Sequence, residues 1–232
     1  MESSCNSVII LIPAKNEVQT VGKVITEIKS KLSATIVVID DASTDGTINI
    51  ARSAGATVLS LPFSLGAWGA IQTGLRYAAK YNFKIAITMD ADGQHEADSL
   101  PILLDAIQQC DVVIGAYPQR GSLSRQVAWQ IFRKLSGINL EDLTSGLRAY
   151  NNKAIELLTS KSAILLDYQD MGVLILLHTA GLQVIEVPTL MYPRSNGHSR
   201  IFNSWLAVIK YMLCTGILCL AHGNYGKKCR IK

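Results

Sequence analysis

Two aspartates separated by one residue stand where a strongly apolar stretch of the sequence ends. Residues 87–89 are apolar or β-branched and lead into Asp90 and Asp92, and Gln94 follows. Carboxylates close to an apolar core are unfavourable unless something compensates their charge. Because Mg²⁺ and Mn²⁺ prefer carboxylate oxygens, water and substrate phosphates, Asp90, Asp92 and Gln94 are candidate ligands of a divalent cation. Such a cation would polarise a diphosphate as the leaving group of a transfer reaction.

A basic counterpart to these acids lies much later in the chain. Arg194 and Arg200 flank Gly197 in the polar stretch RSNGHSRI, residues 194–201. The planar guanidinium group suits phosphate because it can form two parallel hydrogen bonds. We therefore expect this loop to close over a bound diphosphate. An ordinary solvated loop is the alternative.

Two further polar clusters follow apolar runs in the first half of the chain. The stretch PAKNE, residues 13–17, carries Lys15 and Glu17, which can reach a ribose or a base. The stretch VVIDDASTDGT, residues 37–47, contains Asp41. A carboxylate there can accept hydrogen bonds from the N–H edge of a nucleobase. Taken singly, each acid could instead cap or favour the start of the following helix.

The elements that must position these clusters alternate in type along the first half. Apolar runs rich in β-branched residues predict strands, and stretches of helical periodicity between them predict helices. This alternation is typical of parallel βαβ units in an α/β protein with helices on both faces of the sheet. Ligands bind at the carboxyl ends of such strands, so the polar clusters should share one edge. The predicted strands cover residues 7–13, 34–41, 56–61, 84–92 and 111–117.

The second half is less regular. It predicts a turn at Ser145-Gly146, followed by a possible short strand, and an edge strand interrupted by Pro188. Helices are predicted over residues 125–137 and 168–181 and within 140–160.

The last stretch of the chain is almost wholly apolar. Residues 204–222 approach the ~20 residues that a bilayer crossing needs, but Lys210 lies within them and would be costly there. We expect an apolar helix in the plane of a membrane, with the basic ending KKCRIK facing anionic lipid. A helix packed on the domain or on a partner subunit is the alternative.

Composition sets outer limits on the function. The chain has 232 residues, of which 49% are hydrophobic, and its net charge of +4 is too mild to argue for nucleic acid. Its five cysteines show no CxxC spacing, which indicates reduced thiols in a cytosolic protein. The first residues do not have the pattern of a signal peptide.

Four motifs occurring in order resemble those of family-two inverting glycosyltransferases with a GT-A fold. They are PAKNE, VVIDDASTDGT, MDADGQH and PRSNGHSR, and the similarity runs from about residue 7 to residue 201. Among members of this family, the dolichyl- and polyprenyl-phosphate mannosyl- or glucosyltransferases are the most similar. The resemblance implies a mostly parallel, Rossmann-like sheet flanked by helices. Together with the apolar stretch described above, it predicts a catalytic domain over residues 1–203, followed by the apolar, membrane-associating helix and basic tail over 204–232.

The resemblance also assigns roles by position. The nucleotide-binding positions of the family correspond to Pro13, Lys15, Glu17, Ile39, Asp41, Asp90, Ala91, Asp92, Arg194 and Arg200. The metal-binding segment of the family corresponds to Asp90, Asp92 and Gln94. The catalytic positions of the family correspond to Asp92, Arg194 and Arg200. Ser145 and Arg148 match the sugar or acceptor-phosphate side. The family often has an arginine after the fifth strand, where this chain has GAYPQR, so Arg125 is an alternative source of that charge.

The implied reaction is transfer of a sugar from a GDP- or UDP-sugar, with Mg²⁺ or Mn²⁺, to a polyprenyl phosphate at the cytoplasmic face of a membrane. A lipid phosphate is already ionised and needs no strong base. Transfer to a sugar hydroxyl of a glycan is the alternative, and it would need a base, for which Asp170 is the candidate. A catalytically silent partner with the same fold is a third reading. The partner could be a second copy of the chain or a membrane subunit, and the sequence does not decide between them.

Overall fold

The computed structural model describes residues 7–120, 123–164, 166, 170–192 and 212–220. Within these residues, strands and helices alternate through the first half, as the hydrophobic periodicity predicts. The strands are β1 (Val8–Ala14), β2 (Thr35–Asp40), β3 (Thr57–Ser60), β4 (Ile85–Thr88), β5 (Val112–Ala116), β6 (Arg148–Asn151) and β7 (Val184–Pro188). The helices are α1 (Val21–Lys31), α2 (Thr47–Ser53), α3 (Gly66–Lys80), α4 (Ser99–Ala106), α5 (Leu123–Ser136), α6 (Asn152–Leu158), α7 (Lys161–Ile164) and α8 (Met171–Thr179). A further helical segment covers residues 212–220.

The strands form one sheet in the order β3-β2-β1-β4-β6-β5-β7. Strands β1 to β4 are parallel, and β5 pairs in parallel with β7 at the edge, where the sequence predicted an edge strand. Strand β6 is antiparallel and lies between β4 and β5, with Arg148 opposite both Thr88 and Ile114. This reversal brings the start of β6 to the edge where β4 and β5 end.

Helices cover both faces of the sheet because the strands are apolar on both sides. Along β1, Ile9 and Leu11 face a core that includes α3, α6 and α8, whereas Ile10 and Ile12 face a core that includes α1 and α4. Helix α3 lies very close to the first face, since a Cβ added at Gly74 would be 2.9 Å from Ile39 Cδ1. The mostly parallel sheet with helices on both faces, predicted from the sequence, is thereby confirmed.

The helical segment at 212–220 has two unlike faces. Thr215 and Cys219 are buried, and Met212 packs against the core on the α3 face of the sheet. Leu213 is 62% exposed and Ile217 is 66% exposed. No helix within the described residues combines the length and apolarity that a bilayer crossing requires.

Candidate active site

Three polar clusters predicted from the sequence leave the sheet from three adjacent strands. In the parallel register, Leu11 is opposite Thr88, and Pro13 is opposite Ile39. The PAKNE segment at the end of β1, the paired aspartates at the end of β2 and the acidic turn (residues 90–94) after β4 therefore lie side by side. This is the carboxyl edge at which open parallel sheets bind ligands.

The acidic turn begins two residues after β4 ends. Its backbone is shaped by Gly93, whose φ of +74° favours glycine. Asp92 is 8% exposed, and its Oδ1 accepts a hydrogen bond from the Gln94 amide at 3.1 Å. The Asp90 side chain is 42% exposed. The turn therefore presents one half-open carboxylate beside one that is nearly enclosed.

The oxygen donors of the acidic turn fit a magnesium or manganese ion that shares its coordination with substrate. No cluster of three or more His, Cys, Asp or Glu side chains within the described residues could hold a metal ion alone. Two carboxylates and the Gln94 amide oxygen are a smaller set, and these cations routinely complete such a set with water and phosphate oxygens. Asp90 and Asp92, together with Gln94, would hold the ion.

The acidic turn is hydrogen-bonded to the segment that precedes residues 194–201, the predicted basic loop. The Tyr192 amide donates to Gln94 O at 2.8 Å, and Gln94 Nε2 donates to Tyr192 O at 3.3 Å. A hydrogen bond and the nearby charge of Glu96 raise the pKa of the Tyr192 hydroxyl. Tyr192 is two positions before Arg194 in the sequence; Arg194 and Arg200 lie outside the described residues.

The Ser145-Gly146 turn contacts the acidic turn directly. Thr88 Oγ1 donates to Gly146 O at 2.8 Å, and Ser145 Oγ donates to Gly115 O at 2.5 Å. A Cβ added at Gly146 would lie only 2.5 Å from Asp90 Oδ2. Glycine is therefore required here for the Asp90 carboxylate to come so close to the backbone.

Arg148 holds the backbone of this turn through hydrogen bonds. It is fully buried, and it donates from Nε to Ser145 O at 2.9 Å and from Nη2 to Leu143 O at 3.1 Å. Its Nη1 has no hydrogen-bond partner among the described residues. The guanidinium thus positions the backbone of the turn, and contact with an acceptor phosphate stays a prediction for both Arg148 and Ser145.

The loop before that turn is held by two acids. Asp142, fully buried, accepts from the Tyr117 amide at 3.2 Å. The two carboxylate oxygens of Glu186 on β7 accept from the Glu141 and Asp142 amides, each at 2.7 Å. Burial raises the pKa of Glu186 despite these two amide donors. Strands β5 and β7 are in this way tied to the segment that leads into β6.

Asp41, which the sequence predicts to bind the nucleotide, anchors the loop before α3. Its carboxylate accepts from Ser64 Oγ at 2.6 Å, from the Leu65 amide at 2.6 Å and from the Gly66 amide at 3.1 Å. Lys15 Nζ donates to the same Ser64 Oγ at 2.8 Å. Lys15 and Asp41, predicted separately from the sequence, are therefore joined through one hydroxyl group.

The remaining residues predicted to bind the nucleotide differ in exposure. Ile39 and Ala91 are buried, so their side chains face the core. Pro13 is half-buried at the end of β1. The Glu17 amide donates to Thr47 Oγ1 at 2.8 Å, which links the PAKNE loop to α2. Base contacts by these residues stay predictions.

Asp170 and Arg125 are the last two candidates. Asp170 directly precedes α8, and its backbone oxygen accepts from the Leu174 amide at 3.0 Å. Burial, followed by the charge of Asp170, raises the pKa of Cys219 to about 11, so Asp170 lies near the 212–220 helical segment. Arg125 belongs to α5, but its side chain lies outside the described part of the chain.

Sequence reasoning missed three residues at this edge: Ser64, Gly146 and His95. Ser64 follows β3, and applying the strand-end rule to that strand as well would have found it. His95 directly follows the acidic turn, and its Nε2 lies 3.4 Å from Asp90 Oδ2. For the contact between Gly146 and Asp90 the sequence has no local signal, because it depends on β6 lying beside β4.

The fold, the carboxyl-edge acids and the sequence together define the class of this protein. A family model described as glycosyl transferase family 2 matches residues 9–164, and the chain belongs to this family of glycosyltransferases. Undecaprenyl-phosphate mannosyltransferase of Micrococcus luteus is 30% identical over 217 residues, which cover 84% of this chain and 87% of the relative. Polyprenol monophosphomannose synthase of Mycolicibacterium smegmatis is 25% identical, over 84% of this chain and 81% of the relative.

Solved structures agree on the fold. Glucosyl-3-phosphoglycerate synthase from Mycobacterium tuberculosis, in complex with phosphoglyceric acid, superposes with a TM-score of 0.69 and 23% identity over 94% of this chain and 80% of that one. The same enzyme in complex with Mg²⁺ and uridine diphosphate gives a TM-score of 0.67 at 21% identity, over 94% of this chain and 79% of that one. The GT-A architecture expected from the motifs is confirmed.

Proposed function

We propose that this glycosyltransferase moves a sugar from a nucleotide-diphosphate sugar to a polyprenyl phosphate, with inversion at the anomeric carbon and with a divalent cation. Two relatives whose names specify polyprenyl-type lipids as substrates support the acceptor. A fold neighbour whose structure contains Mg²⁺ and uridine diphosphate supports the donor class and the cation. GDP- and UDP-sugars both remain candidates for the donor.

The observation that carries the proposal is the pairing of the acidic turn with the chain before the basic loop. Gln94 and Tyr192 exchange hydrogen bonds, so the segment leading to Arg194 begins beside the acidic turn, at Gln94. A diphosphate is best bound where carboxylates that hold a cation meet guanidinium groups. We expect Arg194 and Arg200 to bind the diphosphate from that side.

Each cluster at the carboxyl edge has a proposed task. Asp90, Asp92 and Gln94 hold the cation, which supplies Lewis-acid stabilisation of the leaving diphosphate. Lys15 and Glu17 orient the nucleoside, and the Asp41 carboxylate fixes the loop that borders it. Neighbouring strands position these groups before substrate binds, so that little reorganisation is needed during the reaction.

The acceptor determines whether a protein base is needed. A lipid phosphate is ionised at neutral pH and can attack without losing a proton, whereas a sugar hydroxyl must transfer one. Asp170 would be the candidate base for a sugar hydroxyl acceptor. The names of the two relatives favour the lipid phosphate as acceptor.

We also propose that the chain docks on a membrane surface through its C-terminal helical segment. Leu213, Ile217 and Leu220 form an exposed apolar face, while Thr215 and Cys219 attach the segment to the domain. The sequence after it ends in KKCRIK, whose charge is complementary to anionic lipid. A peripheral position of this kind would bring the catalytic edge to a lipid-borne acceptor.

The test is a transfer assay with the purified full chain. Radiolabelled GDP- and UDP-linked hexoses are incubated with Mn²⁺ and vesicles containing undecaprenyl phosphate, and the lipid is extracted into organic solvent. We expect label in the lipid phase with one donor and none with the matched lipid alcohol, which lacks the phosphate. Failure of every donor to label the lipid phosphate, or equal labelling of the alcohol, would contradict the proposed acceptor.

A further inference from the structure

His95 is a buried polar side chain to which the sequence reasoning assigned no role. It follows the acidic turn and forms an isolated antiparallel β-bridge with Met191. Its side chain is 0% exposed, and neither ring nitrogen has a hydrogen-bond partner among the described residues. A buried polar group in this state is unfavourable relative to one that is hydrogen-bonded. Such a group needs a compensating role in some state of the protein.

The Asp90 carboxylate lies beside the His95 ring. His95 Nε2 lies 3.4 Å from Asp90 Oδ2, which is close enough for an ion pair but not aligned as a hydrogen bond. Nε2 of a neutral imidazole can carry an N–H, so the pair can act as donor and acceptor without any net charge on His95.

Gly146 confines the same carboxylate. A Cβ at this position would stand 2.5 Å from Asp90 Oδ2 and 2.8 Å from Asp90 Oδ1, distances that real Cβ atoms do not reach. The hydrogen bond from Thr88 Oγ1 to Gly146 O fixes this backbone to β4, the strand that ends two residues before Asp90. The orientation of the Asp90 carboxylate is thus restricted by the Gly146 backbone and by the buried His95 imidazole.

We propose that His95 and Gly146 are positioning residues that hold the Asp90 carboxylate in the orientation in which it binds the divalent cation. The inference rests on the proposed metal role of the acidic turn. Carboxylate ligands of metals are generally oriented by outer hydrogen-bond partners, whose loss lowers metal affinity about 10–100-fold. Gly146 supplies space for the carboxylate, and His95 supplies a ring nitrogen, Nε2, that can carry an N–H and lies 3.4 Å from Asp90 Oδ2.

The test measures Mn²⁺ affinity directly, by the loss of the electron paramagnetic resonance signal of free Mn²⁺ during titration of the full chain with saturating UDP or GDP. His95→Leu should raise the Kd about 10–100-fold, and Gly146→Ala should raise it at least ~10-fold. His95→Gln, whose amide N–H reaches about as far as Nε2, should return the Kd to within ~3-fold of wild type. Gly22→Ala is the matched control, because its Cβ would meet Ile50 Cγ2 at 2.8 Å, away from the acidic turn.

The outcomes separate this inference from the proposed function. If wild type binds Mn²⁺ and Asp92→Ala abolishes the binding, but His95→Leu leaves the Kd within ~2-fold, only the positioning role is overturned. A His95→Gln variant as weak as His95→Leu would likewise overturn it, since volume and not the N–H would then matter. If wild type binds no Mn²⁺ with either nucleotide, the metal role fails and the inference fails with it. If His95→Leu does not fold, the Mn²⁺ Kd of Gly146→Ala decides whether the positioning role holds.

Discussion

Replacing Asp41 with alanine should lower the free energy of unfolding even when no substrate is present. The Asp41 carboxylate is 4% exposed and accepts three hydrogen bonds from residues 64–66, the last of which begins α3. Hydrogen bonds contribute about 0.5–1.5 kcal/mol each, and more when the acceptor is charged. The loss of an oxygen acceptor at a helix start alone costs about 0.5–2 kcal/mol.

The three donors belong to exposed residues, so water can partly replace the carboxylate once it is removed. The lower part of each range therefore applies, and we expect Asp41→Ala to lower the free energy of unfolding by about 2–3 kcal/mol. This corresponds to a change of roughly 30- to 150-fold in the folding equilibrium constant. Asp41→Asn keeps one oxygen acceptor and should lose about half as much.

The assay is urea denaturation of the purified chain followed by circular dichroism. Asp105→Ala is the control, because Asp105 is an exposed acid on α4 and should change stability by less than about 0.5 kcal/mol. If Asp41→Ala were as stable as this control but no longer bound nucleotide, the reasoning would be refuted. Asp41 would then act only through the ligand, and the three hydrogen bonds would not hold the loop.

Three further predictions concern the acids and the buried arginine. Asp92→Ala should lower sugar transfer at least ~100-fold while leaving the free energy of unfolding within about 1 kcal/mol, and full turnover at saturating Mn²⁺ would exclude the metal role. Arg148→Met removes the donor to two main-chain carbonyls and should cost about 2–3 kcal/mol, or at least ~4 °C in Tm; an unchanged Tm would show that the guanidinium does not hold the turn. Hydrogen bonds from the Gln183 amide and the Asn151 side chain lower the pKa of Asp111. Its stabilisation is therefore present above the unfolded value of about 3.9 and is lost as pH falls through the lower folded value, so Asp111→Asn should flatten the acid limb of a stability–pH curve, and an unchanged limb would contradict this.

The strand-end rule found most of the site because period and strand direction are local properties of the sequence. Apolar runs that stop at Asp41 and Asp90 were enough to predict which edge of the sheet carries polar residues. The helices predicted over 125–137 and 168–181 correspond to α5 (Leu123–Ser136) and α8 (Met171–Thr179), because their apolar spacing and the glycine that ends each are local signals. Strand β6 was only a possible short strand, since RAYN is too short to have a clear period.

The buried arginine illustrates what local patterns leave open. In the sequence, Arg148 is a cation near a turn, and a phosphate is a plausible partner for it. In the structure it is fully enclosed and bonded to the carbonyls of Leu143 and Ser145. Burial of a particular side chain depends on which strands become its neighbours, and the sequence does not state this.

The sequence by itself determined the class of fold, the edge of the sheet that carries the chemistry, and the residue types that chemistry needs. It did so because strand and helix periods, and the polar residues that end each strand, are set over a few neighbouring positions. The tertiary structure alone decided that β6 reverses between β4 and β5. That reversal sets Gly146 against Asp90, and the pairing of Gln94 with Tyr192 brings the chain before the basic loop to the acidic turn. These contacts join residues far apart in the chain, and only the packing of the whole sheet fixes such distances.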